Sequence, residues 1–243
     1  MESKIICGDT IDEMSKLPDK SIDMILCDLP YGTTQCKWDT VIPFDSLWDQ
    51  YRRIIKDNGA IVLTASQPFT SNLVMSNPKL FRYSLVWEKS KSTGYLNSKK
   101  MPMRSHEDIL VFYKSLPTYN PQMVDGKPYD KGKAHRPTEV YREQKGEIHV
   151  KNDSGLRYPR SVQYFKTAES EGIVYHPTQK PISLMEWLIK TYTNEGDVVL
   201  DNCLGSGTTA IACIRTNRKY IGIDIDESYI KITTERISNE LKN

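Results

Sequence analysis

Two short stretches hold the residue types that do chemistry. The first is DMILCDLPYG, residues 23–32, where an apolar run stops at Asp28 and passes into Leu29, Pro30, Tyr31 and Gly32. A solvated turn accounts for the proline and the glycine. It does not account for a carboxylate, a stiff corner and a flat ring arriving together. The second stretch is DNCLGSGTTA, residues 201–210, in which Gly205 and Gly207 followed by Ala210 fit the loose pattern G-x-G-x-x-G/A. Asp224 closes the next apolar run. An acid about 20 residues after such a turn meets the ribose hydroxyls of a bound nucleoside. The glycines let the backbone turn sharply and a ligand approach it, and the following helix offers unpaired N–H groups. A nucleoside-containing ligand and a purely structural turn both fit this pattern. A phosphate loop does not, because no Gly-Lys-Ser/Thr follows.

These residues need elements to hold them. KIICGD reads as a strand ending at Asp9, and Thr10 with Glu13 has the spacing of a capping box at a helix start. SIDMILCD is too continuous for simple alternation, as a strand covered on both faces should be. FDSLWDQYRRIIKDNG places Leu47, Trp48, Tyr51, Ile54 and Ile55 on one helix face, with Gly59 past the end. GAIVLTA is a third strand, QPFTSNLVMSN a helix, and FRYSLVWEK and HEDILVFYK two more strands. KPISLMEWLIKTY, the strand–turn–helix of the glycine stretch, KYIGIDID and ESYIKITTERISNEL complete the order. Alternating strands and helices predict a mainly parallel sheet with helices on both faces. Little chain follows Asp224, so the remaining strands come from the N-terminal half. This permuted order puts Asp9, Asp28, Asp201 and Asp224 along one sheet edge.

From Lys114 the periodicity fails, and EIHV is the only strand start in a Tyr-, Pro- and Gly-rich region. The expected organisation is a domain made of residues 1–113 and 171–243, interrupted by an insert at 114–170. The formal net charge is only +2, yet Lys89, Lys91, Lys99, Lys100 and Arg104 occur without an intervening acid, together with Ser92 and other small polar groups. Residues 114–166 hold eleven Lys or Arg against six Asp or Glu, interleaved with Tyr119, Tyr129, Tyr141, Tyr158 and Tyr164. Positive charge concentrated in this way predicts a polyanion partner, with Arg136, Arg142, Arg157 and Arg160 facing guanine edges or phosphates. The five cysteines form no Cys-x-x-Cys pair and are read as small buried side chains in a reducing compartment. The four histidines are scattered without ligand spacing, so no metal is expected. No apolar window approaches the ~20 residues of a membrane span. The N-terminus lacks a signal-peptide pattern, and a cytoplasmic protein is expected.

DLPY at 28–31 resembles the Asp-Pro-Pro-Tyr motif of amino-directed DNA methyltransferases, and NCLGSGTT resembles their cofactor motif. GD at 8–9, VWEK at 86–89 and HPTQKP at 176–181 are also similar to segments of that family. Catalytic motif first, target-recognition region next and cofactor motif last is the order of the β-class of adenine-N6 enzymes. The resemblance spans nearly the whole chain except the middle region. It implies a permuted Rossmann-like methyltransferase fold, double-stranded DNA as substrate and S-adenosylmethionine as methyl donor, leaving S-adenosylhomocysteine. It implies that Asp28 and the Leu29 carbonyl hold the target amino group, that Pro30 restrains Leu29, and that Tyr31 stacks on a flipped base. It also assigns Asp224 to the ribose hydroxyls and Asp9 to the cofactor adenine. The methionine part falls to the turn of Asp201, Asn202, Cys203, Gly205, Ser206 and Gly207, with Thr208, Thr209 and Lys180 beside it. Leu29 stands where the family has a first proline, and Cys203-Leu204 where it has Pro-Phe. A homodimer, a cognate restriction endonuclease and a nucleoid-associated prokaryotic or phage-encoded setting go with the family.

Three rivals have different requirements. A cytosine-N4 methyltransferase shares donor and motif order, but more often carries Ser at the position of Asp28. A nicotinamide-dependent oxidoreductase would use the glycine turn and leave Asp28-Leu-Pro-Tyr idle. A non-catalytic DNA-binding protein would keep the basic loop and have no need of Asp28.

Overall fold

The computed structural model describes residues 1–33, 39–134 and 148–242. Its elements in chain order are β1 (Lys4–Cys7), α1 (Thr10–Ser15), β2 (Ile22–Asp28), α2 (Phe44–Ile54), β3 (Ile55–Ala65), α3 (Phe69–Ser76), β4 (Phe81–Thr93) and β5 (Arg104–Phe112). They continue with β6 (Tyr129–Ala134), β7 (Ile148–Asn152), β8 (Val162–Phe165), α4 (Ile182–Tyr192), β9 (Val198–Asp201), α5 (Thr208–Arg215), β10 (Lys219–Asp224) and α6 (Glu227–Glu240).

The chain forms two units, Met1–Asn120 with Ser161–Asn243, and Pro121–Arg160. The first is built on an eight-stranded sheet of order β1-β10-β9-β2-β3-β5-β4-β8. All its strands run the same way except β5, which is antiparallel to both β3 and β4. The sheet is therefore mainly parallel, but VWEK and HEDILVF belong to one hairpin and not to two crossover units. β8 pairs with β4 and Asn120 binds the carbonyls at the end of α4, so both ends of the expected insert belong to the larger unit. The smaller unit carries the antiparallel pair β6–β7 and the bridge Val124–Arg157.

Alternation within β2 builds the two layers. Ile25 and Cys27 pack with Met14, Leu47, Trp48, Tyr51, Ile54 and Phe69 from α1, α2 and α3. Met24 and Leu26 pack with Leu184, Leu188, Ala212 and Cys213 from α4 and α5. Period-2 side chains facing helices on both sides explain why the run reads as continuously apolar. Burying a side chain such as Leu47 or Ile54 completely contributes about 1.5–3 kcal/mol. Trp48 also donates to the Ser76 hydroxyl at 2.8 Å, so its one polar atom is satisfied.

Some local expectations fail for physical reasons. Asp9, not Thr10, caps α1, accepting from the amides of Ile11 and Asp12; a carboxylate is the stronger acceptor there. Thr10 is released to bond across the sheet edge to the Asn202 carbonyl. Gly59 lies inside β3, at a register shift, and not at the end of α2. Cys27 and Cys213 are buried as expected, whereas Cys7 is exposed and Cys203 only partly covered. Cys36, Tyr141, Arg136 and Arg142 lie outside the described residues.

Candidate active site

Strand order decides what meets at the carboxyl edge of the sheet. Cys7 is in register with Asp224, Asp201 with Gly222, and Asp28 with Thr64. The chain turns at Gly8-Asp9, Leu29-Pro30, Asn202-Cys203 and Ile225-Asp226 therefore open side by side. They line one cavity of about 970 Å³ that includes Asp9, Asp28, Leu29, Pro30, Tyr31, Lys180, Asp201, Gly205, Ser206 and Asp224. The two stretches singled out in the sequence, one from each half of the chain, converge here.

At the Asp28 corner three donors reach one carboxylate. Tyr31 Oη donates to Asp28 Oδ1 at 2.8 Å, and the Thr64 hydroxyl donates to the same oxygen. Lys180 Nζ reaches Oδ2 at 2.5 Å. The Tyr31 ring is stacked on Phe69, with centroids 5.0 Å apart. Burial, then the nearby Asp28 and Glu107 charges, push the Tyr31 phenol well above its ordinary pKa, so it remains a donor. Lys180 is buried, its side chain 6% exposed, and it also lies 3.4 Å from Glu107 Oε2. Burial works against its charge, but Asp28 and Glu107 outweigh it and raise its pKa above the ordinary lysine value. Glu107 Oε1 in turn pairs with Lys89 Nζ at 3.1 Å. The result is an alternating row: Asp28, Lys180, Glu107, Lys89.

The glycine turn is built as firmly. Gly205 and Gly207 both have positive φ, +51° and +83°, which L side chains rarely adopt. A Cβ at Gly207 would overlap the Thr233 side chain on α6, whereas one at Gly205 would meet only His176, at 3.8 Å. Gly205 thus opens toward the cavity. Asp224 Oδ2 accepts from the Gly205 amide at 2.7 Å and Oδ1 from the Asp226 amide at 2.9 Å. These bonds fix the carboxylate and leave each oxygen a further lone pair. Ser206 donates to Gln179 Oε1 at 3.1 Å, and Tyr229 lies against His176 at 4.7 Å.

Other members of the expected set hold the frame. Asn202 is buried; it accepts from Tyr51 Oη at 2.5 Å and donates to Thr10 at 3.0 Å, tying α2 and α1 to the turn. Asp201 is buried and accepts from the Cys203 amide at 3.1 Å. Burial, partly offset by hydrogen bonds from Thr209 and the Cys203 amide, lifts its pKa to about 6. Thr208 and Thr209 are buried at the start of α5. Leu204, at the family's aromatic position, packs with Ala210, Ile211 and Ile237.

The basic residues divide. Lys99 and Lys100 are exposed in the turn between β4 and β5, beside exposed Tyr95 and Leu96. Arg104 and Lys91 are exposed at the cavity wall; Arg104 donates to Ser66 Oγ at 2.6 Å, and Lys91 lies 3.5 Å from Glu169. Ser92 is half-buried nearby. Lys89 is buried against Glu107 and does not face outward, a position at odds with a phosphate contact. In the smaller unit Arg160 is exposed, whereas Arg157 spends its guanidinium on the carbonyls of Gly155, Leu156 and Lys127 and on the Tyr129 ring.

Thr64 and Glu107 escaped the sequence reading. Thr64 needed the β2–β3 register to come beside Asp28, and Glu107 needed the β4–β5 hairpin. An acid heading the apolar run DILVF was the only available signal. Among the described residues no group of three or more His, Cys, Asp or Glu could hold a metal ion, and no helix is long and apolar enough to cross a membrane.

Comparison with known proteins agrees with this arrangement. Residues 22–235 match the N6/N4 family described as DNA methylase. The chain is 30% identical to the DNA adenine methyltransferase YhdJ of Escherichia coli (strain K12), covering 96% of this chain and 82% of that one. It is 29% identical to the type II methyltransferase M.HpaI of Haemophilus parainfluenzae, over 99% and 76%. Among solved structures, the M1.HpyAVI–SAM complex superposes with a TM-score of 0.63 at 23% identity, covering 96% of this chain and 98% of that one. The cytosine-N4-specific PvuII DNA methyltransferase gives 0.68 at 15% identity, over 99% and 91%, a likeness of fold alone. The chain belongs to the N6/N4 DNA methylase family.

Proposed function

We propose that this protein transfers the methyl group of S-adenosylmethionine to the N6 amino group of an adenine flipped out of duplex DNA. The observation that carries the reading is the single cavity shared by the Asp28 carboxylate, the Gly205–Gly207 turn and Asp224. Asp224 is fixed at the end of β10 with acceptors to spare for two ribose hydroxyls, and Gly205 leaves the turn open to close approach. These residues fit S-adenosylmethionine, whose sulfonium supplies an electrophilic methyl group.

The chain's own task is to make a poor nucleophile react. The exocyclic amine shares its lone pair with the purine ring. Asp28 and the Leu29 carbonyl would accept its two hydrogens, drawing the nitrogen toward tetrahedral geometry and its lone pair toward the donor. Acceptors fixed beforehand do this without reorganisation at the moment of reaction. Tyr31 offers its ring to the extruded base, backed by Phe69. Lys91, Lys99, Lys100 and Arg104, around the cavity mouth and the adjoining turn, would contact phosphates, and the unit Pro121–Arg160 would read the target sequence. Adenine is favoured over cytosine by Asp28 and by the name of the relative YhdJ. The type II methyltransferases M.HpaI and M.BglII among the relatives support a partner restriction enzyme.

The test is to incubate the protein with mixed-sequence DNA and S-adenosylmethionine, digest to nucleosides and identify them by mass. N6-methyladenine is expected. N4-methylcytosine without N6-methyladenine would overturn the choice of base, and no methylated nucleoside would overturn the reading.

A further inference from the structure

The row of alternating charges behind the Asp28 corner does more than pack. Lys180 Nζ covers Asp28 Oδ2 at 2.5 Å, the oxygen that neither Tyr31 nor Thr64 uses. An ammonium in direct contact takes up much of the charge that Asp28 would apply to an amino hydrogen. On the other side of the same ammonium, at 3.4 Å, is Glu107 Oε2. That oxygen is shielded from solvent and makes no hydrogen bond among the described residues, while its twin is anchored on Lys89 at 3.1 Å. A buried carboxylate oxygen that has an ion pair at 3.4 Å but no hydrogen bond gains if a donor moves closer. The atom able to come is Lys180 Nζ, which needs to move only a fraction of an ångström to reach ordinary hydrogen-bond distance.

We propose that Glu107 is a positioning residue that takes Lys180 over from Asp28 when the target amino group arrives, so that Asp28 Oδ2 becomes a full-strength acceptor. The inference rests on the methyl-transfer reading above and deepens it. No proton changes owner: Lys180 remains an ammonium and exchanges one carboxylate for another. Lys89 holds Glu107 still during the exchange; its buried side chain, 6% exposed, has no other ion-pair partner among the described residues. This role explains why Lys89 faces inward while its neighbour Lys91 is exposed.

The experiment measures single-turnover transfer of radiolabelled methyl from S-adenosylmethionine to unmethylated mixed-sequence plasmid DNA. The wild-type rate is taken first, because an inactive wild type would refute the methyltransferase reading itself. Glu107→Gln, nearly isosteric but uncharged, is expected to slow transfer at least 10-fold with the Kd values for duplex and for S-adenosylmethionine within twofold of wild type. Lys180→Gln frees Asp28 by itself, so adding Glu107→Gln to it is expected to cost less than twofold more. A merely structural role for Glu107 would give losses that multiply. A wild-type rate in Glu107→Gln, or full multiplication in the double variant, would overturn the proposal while leaving methyl transfer intact. Should Glu107→Gln not fold, Glu107→Asp decides: it keeps the negative charge, but its shorter side chain withdraws from Lys180, and a 3- to 10-fold loss is expected. A wild-type rate there would refute the exchange.

Discussion

Replacing Asp28 by alanine should separate the chemistry from everything else the protein does. The carboxylate receives Tyr31 at 2.8 Å, Thr64, and Lys180 at 2.5 Å. Its removal leaves the two hydroxyls able to pair with each other at 3.3 Å, but it strands an ammonium whose side chain is only 6% exposed. Breaking a buried ion pair from one side costs about 3–5 kcal/mol. Asp28 is 24% exposed and Glu107 remains 3.4 Å from Lys180, so the stability loss should fall at or just below that range, about 2–3 kcal/mol. The rate should suffer separately. One preorganised acceptor for developing charge is worth about 2.7–4 kcal/mol, or 10²–10³-fold. The assay is single-turnover methyl transfer beside a duplex-binding titration and a thermal melt. Expected are a Tm drop of several degrees, duplex binding within threefold of wild type and a rate lower by about 10²-fold or more. Transfer within threefold of wild type would refute the role given to Asp28. A parallel loss of duplex binding would show that the corner holds DNA instead of activating it.

Three further outcomes follow from other parts of the molecule. Reversing Lys99 and Lys100 to Glu should weaken duplex binding regardless of sequence and make the salt dependence shallower by roughly two units of slope; loss confined to one sequence would mean that they read bases. Asp201, its pKa raised to about 6 by burial, holds its proton more tightly folded than unfolded. Its stabilising contribution is present below about pH 4 and lost as pH rises through about 6, a change of about 3 kcal/mol. Denaturant titrations at pH 4 and pH 7.5 should therefore show Asp201→Asn gaining on wild type by about that amount at the higher pH, and parallel curves would deny it. Gly207→Ala forces a side chain to φ +83° and into Thr233. It should cost about 2–4 kcal/mol, lowering Tm by roughly 5–15 °C, and a wild-type melting curve would show that the turn relaxes freely.

The parts of this site legible in the sequence are those carried by consecutive residues. DLPY sits at a strand end because β2 is apolar from Met24 to Cys27, and GSG sits between β9 and α5 because glycine serves the positive φ there. The convergence of the two halves was also readable, since parallel strands put their carboxyl ends on one edge. Features that depend on register were hidden. Glu107 meets Lys89 only because β4 and β5 form a hairpin, and Thr64 meets Asp28 only through the pairing of β2 with β3. The basic residues show the same limit from the other side. Lys89 reads as a DNA contact and Arg157 as a contact to guanine edges or phosphates, yet the first is buried against Glu107 and the second is bound to nearby carbonyls. The expected insert includes residues that extend the main sheet, because β8 finds its partner in β4, far back in the chain.

The central claim is geometric: an amine gripped at Asp28 faces a methyl group held by the Gly205–Asp224 side of the cavity. A crystal structure with S-adenosylhomocysteine and a duplex carrying the mapped target tests it most directly. The account predicts an extruded adenine stacked on Tyr31, its N6 within hydrogen-bond distance of Asp28 and the Leu29 carbonyl, and the cofactor sulfur directed at that nitrogen. A target base left in the helix, or a cofactor whose sulfur points away from Asp28, would contradict it.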